Sequence, residues 1–150
     1  MNKFFSSKMR GITLIELLIV IALVLIVSAM GPIFYSRFLL QNAVEDTANQ
    51  ISGSLRKAQT YAMMGKQGSA WSLNYSSNTL TLYKGTNFAL RDSSFDEKFD
   101  INPNVTISGT DISFAKVTGL PTPSSATITI TSGNNSKTLT VNNQGVVSRQ

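Results

Sequence analysis

The sequence contains no cysteine and no histidine among its 150 residues. These two absences exclude disulfide bonds, thiolate nucleophiles, thiolate metal sites and acid–base catalysis by imidazole. Charged residues are also scarce, at 14% of the chain, whereas a typical soluble domain has about a quarter. The remaining composition is uneven, because the apolar residues are concentrated near the start and Ser, Thr and Asn make up 34 of the 82 residues from Ser69 onward. The chain therefore has two parts of different chemistry.

The first part is an apolar segment that covers residues 12–34. As a helix, a segment of this length spans about 34 Å, enough to cross a hydrocarbon core of about 30 Å. Lys3, Lys8 and Arg10 precede it without any acid, and the positive-inside rule places such a terminus in the cytoplasm. We therefore expect a single transmembrane helix in the plasma (inner) membrane, with the C-terminal part on the periplasmic or extracellular side.

Two interpretations of this segment differ in the bond that is cut. An ordinary secretory signal peptide would be removed after Val27-Ser28-Ala29, whose small residues suit a signal peptidase. The alternative keeps the apolar segment and removes only the basic leader. Glu16 favours the alternative, because a carboxylate in a membrane segment costs on the order of 2.5–3.5 kcal/mol at mid-bilayer and is by default a functional group with a partner.

The run from Lys8 to Leu18, KMRGITLIELL, resembles the leader of type IV prepilins and type II secretion pseudopilins. The resemblance implies that prepilin peptidase cuts between Gly11 and Ile12 and that Ile12 is then N-methylated. It also implies that Glu16 is the assembly residue, paired with the Ile12 amine of a neighbouring subunit. Most members begin the mature chain with Phe, so Ile12 is a minor variant of the pattern.

The helical pattern continues beyond Pro32 as an amphipathic half over residues 35–66. Gly31 and Pro32 are expected to interrupt the long helix between its two halves, with a kink as the more modest interpretation. The apolar positions of the amphipathic half are spaced alternately by four and three residues and form one stripe: Val44, Ala48, Ile51, Leu55, Ala58 and Ala62. We expect this stripe to lie against a sheet, with a coiled-coil dimer as the alternative. Gly65 and Gly68 are expected to end the helix.

From residue 69 to residue 150 the apolar period changes to two, which predicts short antiparallel strands and a β-rich globular part. The fold class is therefore α+β, with a long N-terminal helix packed on antiparallel sheet. Val117 to Ser125 is expected to be a loop, since Pro121 and Pro123 cannot lie in mid-sheet, and residues 84–104 give no clear pattern. The closing strands, with Val-Asn-x-x-Gly-Val at residues 141–146, resemble GspH/FimT-like minor pseudopilins, which implies a pilin-like fold.

Three further patterns could indicate catalysis, calcium binding or DNA binding. Ser-x-x-Lys occurs at Ser54 and at Ser113, but the companion motifs of Ser–Lys enzymes are missing. We therefore expect no enzyme, no catalytic residue and no cofactor. The acids from Asp92 to Asp100 are oxygen ligands of the kind that calcium prefers, yet the spacing is not that of an EF-hand, and a solvated acidic loop is the favoured interpretation. DNA binding would rest on Lys137 and Arg149, which form no basic cluster with aromatics.

The sequence thus predicts a structural minor pilin or pseudopilin that is assembled into a pseudopilus for type II protein secretion. Its expected partners are prepilin peptidase, other pilin-like subunits and membrane lipid, with no nucleic acid and no metal ion. The alternatives are a type IV minor pilin for DNA uptake or adhesion, and a secreted β-domain released by ordinary signal peptidase.

Overall fold

The computed structural model describes residues 11–150, with the side chains of residues 29–34 excepted. Residues 1–10 of the predicted leader 1–11 lie outside the described residues. Of the predicted transmembrane segment 12–34, the side chains of residues 29–34 are not described. The chain divides into two compact units, one ending at Arg37 and the other comprising Phe38–Gln150, which we call the head.

One long helix, α1 (Leu14–Met63), is followed by three 3-10 turns and nine strands. The 3-10 turns are Lys66–Gly68, Phe88–Leu90 and Ser93–Phe95. The strands are β1 (Trp71–Ser76), β2 (Thr79–Lys84), β3 (Glu97–Asp100), β4 (Thr106–Ser108), β5 (Ile112–Phe114), β6 (Pro121–Thr122), β7 (Ala126–Ser132), β8 (Asn135–Val141) and β9 (Val147–Arg149).

The strands form two antiparallel sheets. The first has five strands in the order β3-β2-β1-β5-β6, and the second has four in the order β4-β7-β8-β9. The hairpin of β1 and β2 pairs Trp71 with Lys84 and Ser76 with Thr79, as the alternating sequence predicts. The hairpin of β7 and β8 pairs Ala126 with Val141. The predicted α+β class is therefore confirmed.

The apolar stripe of α1 is buried in the head. All six predicted positions from Val44 to Ala62 are at most 4% exposed. They share one core cluster with inward-facing residues of both sheets, namely Leu73, Leu80, Leu82, Ile112, Phe114, Ile128, Ile130, Leu139 and Val141. The prediction that the stripe packs against a sheet is confirmed. Burial of this apolar surface, at roughly 25 cal/mol per Å², is the main stabilising contribution to the head.

The structure differs from expectation at two places and gives structure to a segment that had no clear pattern. Helix α1 continues through Gly31 and Pro32 as one element, so the helix is not broken there, whereas a kink stays a prediction; proline removes one helical hydrogen bond. Pro121 and Thr122 form a short edge strand on β5 rather than only loop, and an edge is where proline is tolerated. Residues 84–104 contain two 3-10 turns and β3, an edge strand paired to β2.

Candidate functional site

The start of helix α1 contains the residues that the sequence marks for processing and assembly. Gly11, Ile12 and Thr13 are exposed and precede the first helical residue, Leu14. The backbone amide of Glu16 donates to Thr13 Oγ1 at 3.3 Å, and the amide of Thr13 donates to Glu16 Oε2 at 3.5 Å. Such a reciprocal pair is a capping box, which satisfies two amides that a helix start leaves free.

The capping box gives Glu16 a partner within its own chain, which our sequence analysis missed. The signal was present, because Thr-x-x-Glu before an apolar run is the capping-box pattern. The carboxylate of Glu16 therefore points toward the helix start, on the side of Ile12 and Thr13. An acidic group there also interacts favourably with the positive end of the helix dipole.

The apolar side chains that follow Glu16 are exposed in the isolated chain. From Leu17 to Val27 every described large apolar side chain is at least half exposed, with the lowest value, 51%, at Ile21. A continuous apolar surface of this kind needs a covering that the isolated chain does not supply.

Among the described residues, no helix combines the length and the apolar character that crossing a membrane requires.

In the head, Glu45 of α1 binds the two basic residues that the DNA hypothesis requires. Lys137 on β8 donates a hydrogen bond to Glu45 Oε2, and Arg149 Nη1 on β9 lies 3.6 Å from Glu45 Oε1. The hydrogen bond from Lys137, followed by the charges of Lys137 and Arg149, lowers the pKa of Glu45 below its usual value. Both cations are thus partly neutralised within the chain.

A second charged contact joins α1 to the edge strand β3. Lys57 Nζ lies 2.5 Å from Glu97 Oε2, and the hydroxyl of Tyr61 donates to Glu97 Oε1 at 3.0 Å. Burial alone would raise the pKa of Glu97, but the hydrogen bonds from Lys57 and Tyr61 outweigh burial and lower it. The hydrogen bond to Glu97 raises the pKa of Lys57.

The acids from Asp92 to Asp100 are divided among separate partners. Asp92 caps the 3-10 turn Ser93–Phe95 through the amide and hydroxyl of Ser94. Arg91 Nε donates to both oxygens of Asp96, at 2.9 and 3.1 Å. Within residues 11–150 the structure brings no three acidic side chains together as a group that could hold a metal ion.

The two Ser-x-x-Lys patterns lie on different elements, the first within α1 and the second beginning on β5. Ser54 is 5% exposed on the buried side of α1, whereas Lys57 is bound to Glu97. Ser113 lies on β5, where it pairs across the sheet with Ser72 and Thr122.

Comparison with known proteins finds a family that matches the N-terminal segment and solved structures that share the fold. Residues 6–31 match the family described as the prokaryotic N-terminal methylation motif. The matched residues include Gly11, Ile12 and Glu16. No curated protein sequence matches the chain.

Two solved structures share the fold, and both are of the minor pseudopilin EpsH from the type II secretion system of Vibrio cholerae. One is 10% identical with a TM-score of 0.54, and the match covers 71% of this chain and 95% of EpsH. The other, a crystal structure, is 9% identical with a TM-score of 0.53, and the match covers 73% and 94%. The likeness is one of fold, so the expected pilin-like fold is confirmed.

Proposed function

We propose that this chain is the precursor of a minor pseudopilin, a structural subunit that is built into a pseudopilus for type II protein secretion. The observation that carries the proposal is the combination of two features on one chain. An N-terminal methylation motif at residues 6–31 is joined to a head with the fold of the EpsH minor pseudopilin. Each feature alone also fits other proteins. Together, the motif and the fold are typical of subunits that are first processed and then polymerised.

Processing is proposed to occur between Gly11 and Ile12, where prepilin peptidase would remove the basic leader and Ile12 would be N-methylated. The exposed, non-helical backbone of Gly11, Ile12 and Thr13 supports this proposal, because a peptide bond outside a helix can be bound in an extended form by a protease. The helix begins only two residues after the bond to be cut.

Glu16 is proposed to be the assembly residue. A carboxylate among apolar side chains is stabilised by a cation, and the new amine of Ile12 in a neighbouring subunit supplies one. Because a pair of charges in a low-dielectric environment requires accurate geometry, the pair would set the stagger between subunits. The capping bond from Thr13 would hold the carboxylate at the helix start until that amine arrives.

Residues 12–34 are proposed to anchor the subunit in the plasma (inner) membrane before assembly, with the N-terminus cytoplasmic and the head periplasmic or extracellular. The exposed apolar surface from Leu17 to Val27 supports this proposal. Membrane lipid would cover that surface first, and the helices of other pilin-like subunits would cover it in the fibre.

A role in DNA uptake is not favoured. It would require Lys137 and Arg149 to contact phosphates, but both lie against Glu45. Freeing them would break an existing ion pair. The net charge is also small, since from Asp46 onward nine Lys and Arg, Lys137 and Arg149 among them, are opposed by six acids.

The proposal is tested by complementation in a strain that lacks this chain. The full-length chain should restore secretion of type II substrates, and intact mass should show loss of residues 1–11 and one added methyl group on Ile12. Glu16→Val should be cleaved and remain in the membrane but not enter fibres. Restored secretion by a chain that stays uncleaved, or a mature chain that starts at Met30, would contradict the proposal.

A further inference from the structure

The first sheet carries four hydroxyl side chains side by side on the face that points away from the core. Ser72 on β1 lies opposite Tyr83 on β2 and opposite Ser113 on β5, and Ser113 lies opposite Thr122 on β6. Opposed residues of neighbouring strands project on the same face, with their Cβ atoms about 4.5–5.5 Å apart. We call these four residues the hydroxyl row.

One end of the hydroxyl row is buried under the segment that follows β2. Ser72 is 0% exposed and Tyr83 is 1% exposed. The hydroxyl of Ser72 donates to the carbonyl of Gly85, and the ring of Tyr83 packs edge-on against Phe88, with the ring centroids 5.3 Å apart. This end of the row is held in place by the fold, so a ligand that binds there loses little affinity to ordering of the site.

A cavity of about 200 Å³ lies beside the other members of the row. It is lined by Tyr83, Ser113 and Thr122 of the row and by Thr86, Asp111 and Ala115. Thr86, Asp111, Ala115 and Thr122 are exposed, so the cavity opens to solvent. Pockets for drug-sized ligands measure about 300–1,000 Å³, and this smaller volume suits a ligand of a single ring.

The hydroxyl groups that line the cavity have unused capacity for hydrogen bonds. Those of Thr86, Ser113 and Thr122 bind no other group among the described residues. Each can donate one hydrogen bond and also accept. The hydroxyl of Tyr83 is hydrogen-bonded with Ser72, and burial raises its pKa above the usual value, so it stays protonated. The cavity thus offers both donors and acceptors.

Asp111 supplies the charge in the lining of this cavity. Its Oδ2 accepts a hydrogen bond from Asn74 Nδ2 at 2.7 Å, which orients the carboxylate. Its Oδ1 has no partner among the residues that the structure describes. A carboxylate oxygen accepts hydrogen bonds and does not donate them, so the group opposite Oδ1 carries an O–H or N–H.

These groups together select the chemistry of the ligand. A phosphate or a carboxylate would be repelled by Asp111. An ammonium group offers donors only, so the protons of the lining hydroxyls would find no acceptor on it. An apolar ligand would leave the hydroxyls and the carboxylate unpaired, which costs free energy. A neutral ligand with several hydroxyl groups satisfies both the donors and the acceptors.

We propose that this cavity is a binding site for one saccharide ring. One sugar hydroxyl donates to Asp111 Oδ1, and neighbouring sugar hydroxyls bind the side chains of Ser113 and Thr122. The ring of Tyr83 and the methyl group of Ala115 provide the apolar part of the lining, against which the C–H groups of the sugar pack.

The test is saturation-transfer NMR on the full-length chain in micelles of a detergent that has no sugar headgroup. Glucose and N-acetylglucosamine are the two probes, and micelles without protein are the blank. The ring protons of a bound sugar should receive saturation from the protein, with a dissociation constant on the order of 1 mM for so small a ligand. The ratio of the two sugars shows whether the N-acetyl group adds to the affinity.

Two variants locate the binding in this cavity. Asp111→Asn keeps the shape and removes the charge, so affinity should fall about tenfold, because hydrogen bonds to a carboxylate are roughly twice as strong as neutral ones. Asp100→Asn is the matched control, an exposed carboxylate on β3 of the same sheet, and should leave the affinity unchanged. Thr122→Val exchanges an exposed hydroxyl for a methyl group and should lower the affinity about fivefold without lowering the melting temperature.

Three results would overturn the proposed site. The first is no saturation transfer to either sugar, and the second is transfer that is equally strong in the original chain, Asp111→Asn and Thr122→Val. The third is ethanolamine that displaces the sugars and binds more tightly, because the carboxylate would then select a cation. None of these measurements involves processing or assembly, so the proposed function stands or falls separately.

Discussion

Glu45 of helix α1 accepts a hydrogen bond from Lys137 of strand β8, although 92 positions separate the two residues in the chain. Arg149 at the end of β9 lies on the other oxygen of the same carboxylate. This arrangement ties the helix to the closing strands and engages the two bases nearest the C-terminus. The two basic residues that could have contacted a nucleic acid are therefore paired with a carboxylate of the same chain.

Replacing Glu45 by Gln tests that interpretation. The melting temperature of the full chain in detergent should fall slightly at low salt, and the difference should shrink in high salt, because exposed ion pairs are screened. The matched control is Asp46→Asn, a neighbouring exposed carboxylate, which should have a smaller effect. Gain of salt-sensitive DNA binding by Glu45→Gln alone would show that the carboxylate masks a binding surface.

The pH dependence of stability follows from the contact of Glu97 with Lys57 and Tyr61. The pKa of Glu97 is lowered from 4.5, so its stabilising effect is present above that value and is lost as the pH falls through the lower, folded pKa. The pKa of Lys57 is raised from 10.5, so its effect is present below that value and is lost as the pH rises through the higher, folded pKa.

Tyr61→Phe removes one hydrogen bond to Glu97 and should destabilise the head by about 1 kcal/mol, the usual net value for such a bond. It should also make the loss of stability in acid less steep, because the pKa of Glu97 would move back toward 4.5. Thermal melts between pH 3 and pH 7 measure both effects. An unchanged acid profile would show that Tyr61 does not influence the carboxylate.

The sequence predicted those features that depend on local pattern. The stripe from Val44 to Ala62 was correctly assigned to the core because helical spacing alone determines which face is apolar. The hairpin of β1 and β2 was correct for the same reason, with a period of two and a Ser-Asn turn. The acidic stretch, by contrast, was interpreted only as a solvated loop, because the pairing of Glu97 with Lys57 depends on a tertiary contact.

Other features could not be predicted from local pattern. The bonds of Glu45 to Lys137 and of Gln59 to Gln144 depend on how distant segments pack, which no spacing in the chain encodes. The contact of Met63 with Gly119 was missed because the two residues are far apart in sequence. Pro32 is the reverse case, because a residue that usually breaks helices lies within a helix that continues through it.

Two glycines of the head should respond in opposite ways to alanine. Gly53 lies inside α1, ten residues before its last residue, and a Cβ there meets nothing within 4 Å, so Gly53→Ala should stabilise the full chain by about 0.5–1 kcal/mol. Gly119 has φ +65°, and the side chain of Met63 fills the space of a Cβ, so Gly119→Ala should destabilise by at least about 1–2 kcal/mol. Chemical denaturation measures both changes. If Gly53→Ala is stabilising but blocks fibre formation, a neighbouring subunit packs on that glycine.

The last prediction separates the two roles assigned to the helix start. Glu16→Gln keeps the capping box, since Gln is also accepted at that position, but it removes the charge. Thr13→Val keeps the charge and removes the hydroxyl that binds the Glu16 amide. Thr13→Ser is the matched control, because it retains a capping hydroxyl.

If the charge sets the stagger between subunits, Glu16→Gln should be processed normally and should fail to enter fibres. Thr13→Val should lose the cap, which is worth about 1 kcal/mol in typical helices, and amide exchange at residues 14–16 should become faster, whereas Thr13→Ser should resemble the original chain. Fibre content by immunoblot and hydrogen exchange by mass spectrometry measure the two effects separately. If Glu16→Gln assembles as well as the original chain, the carboxylate serves only to start the helix, because the neutral amide can do that equally well.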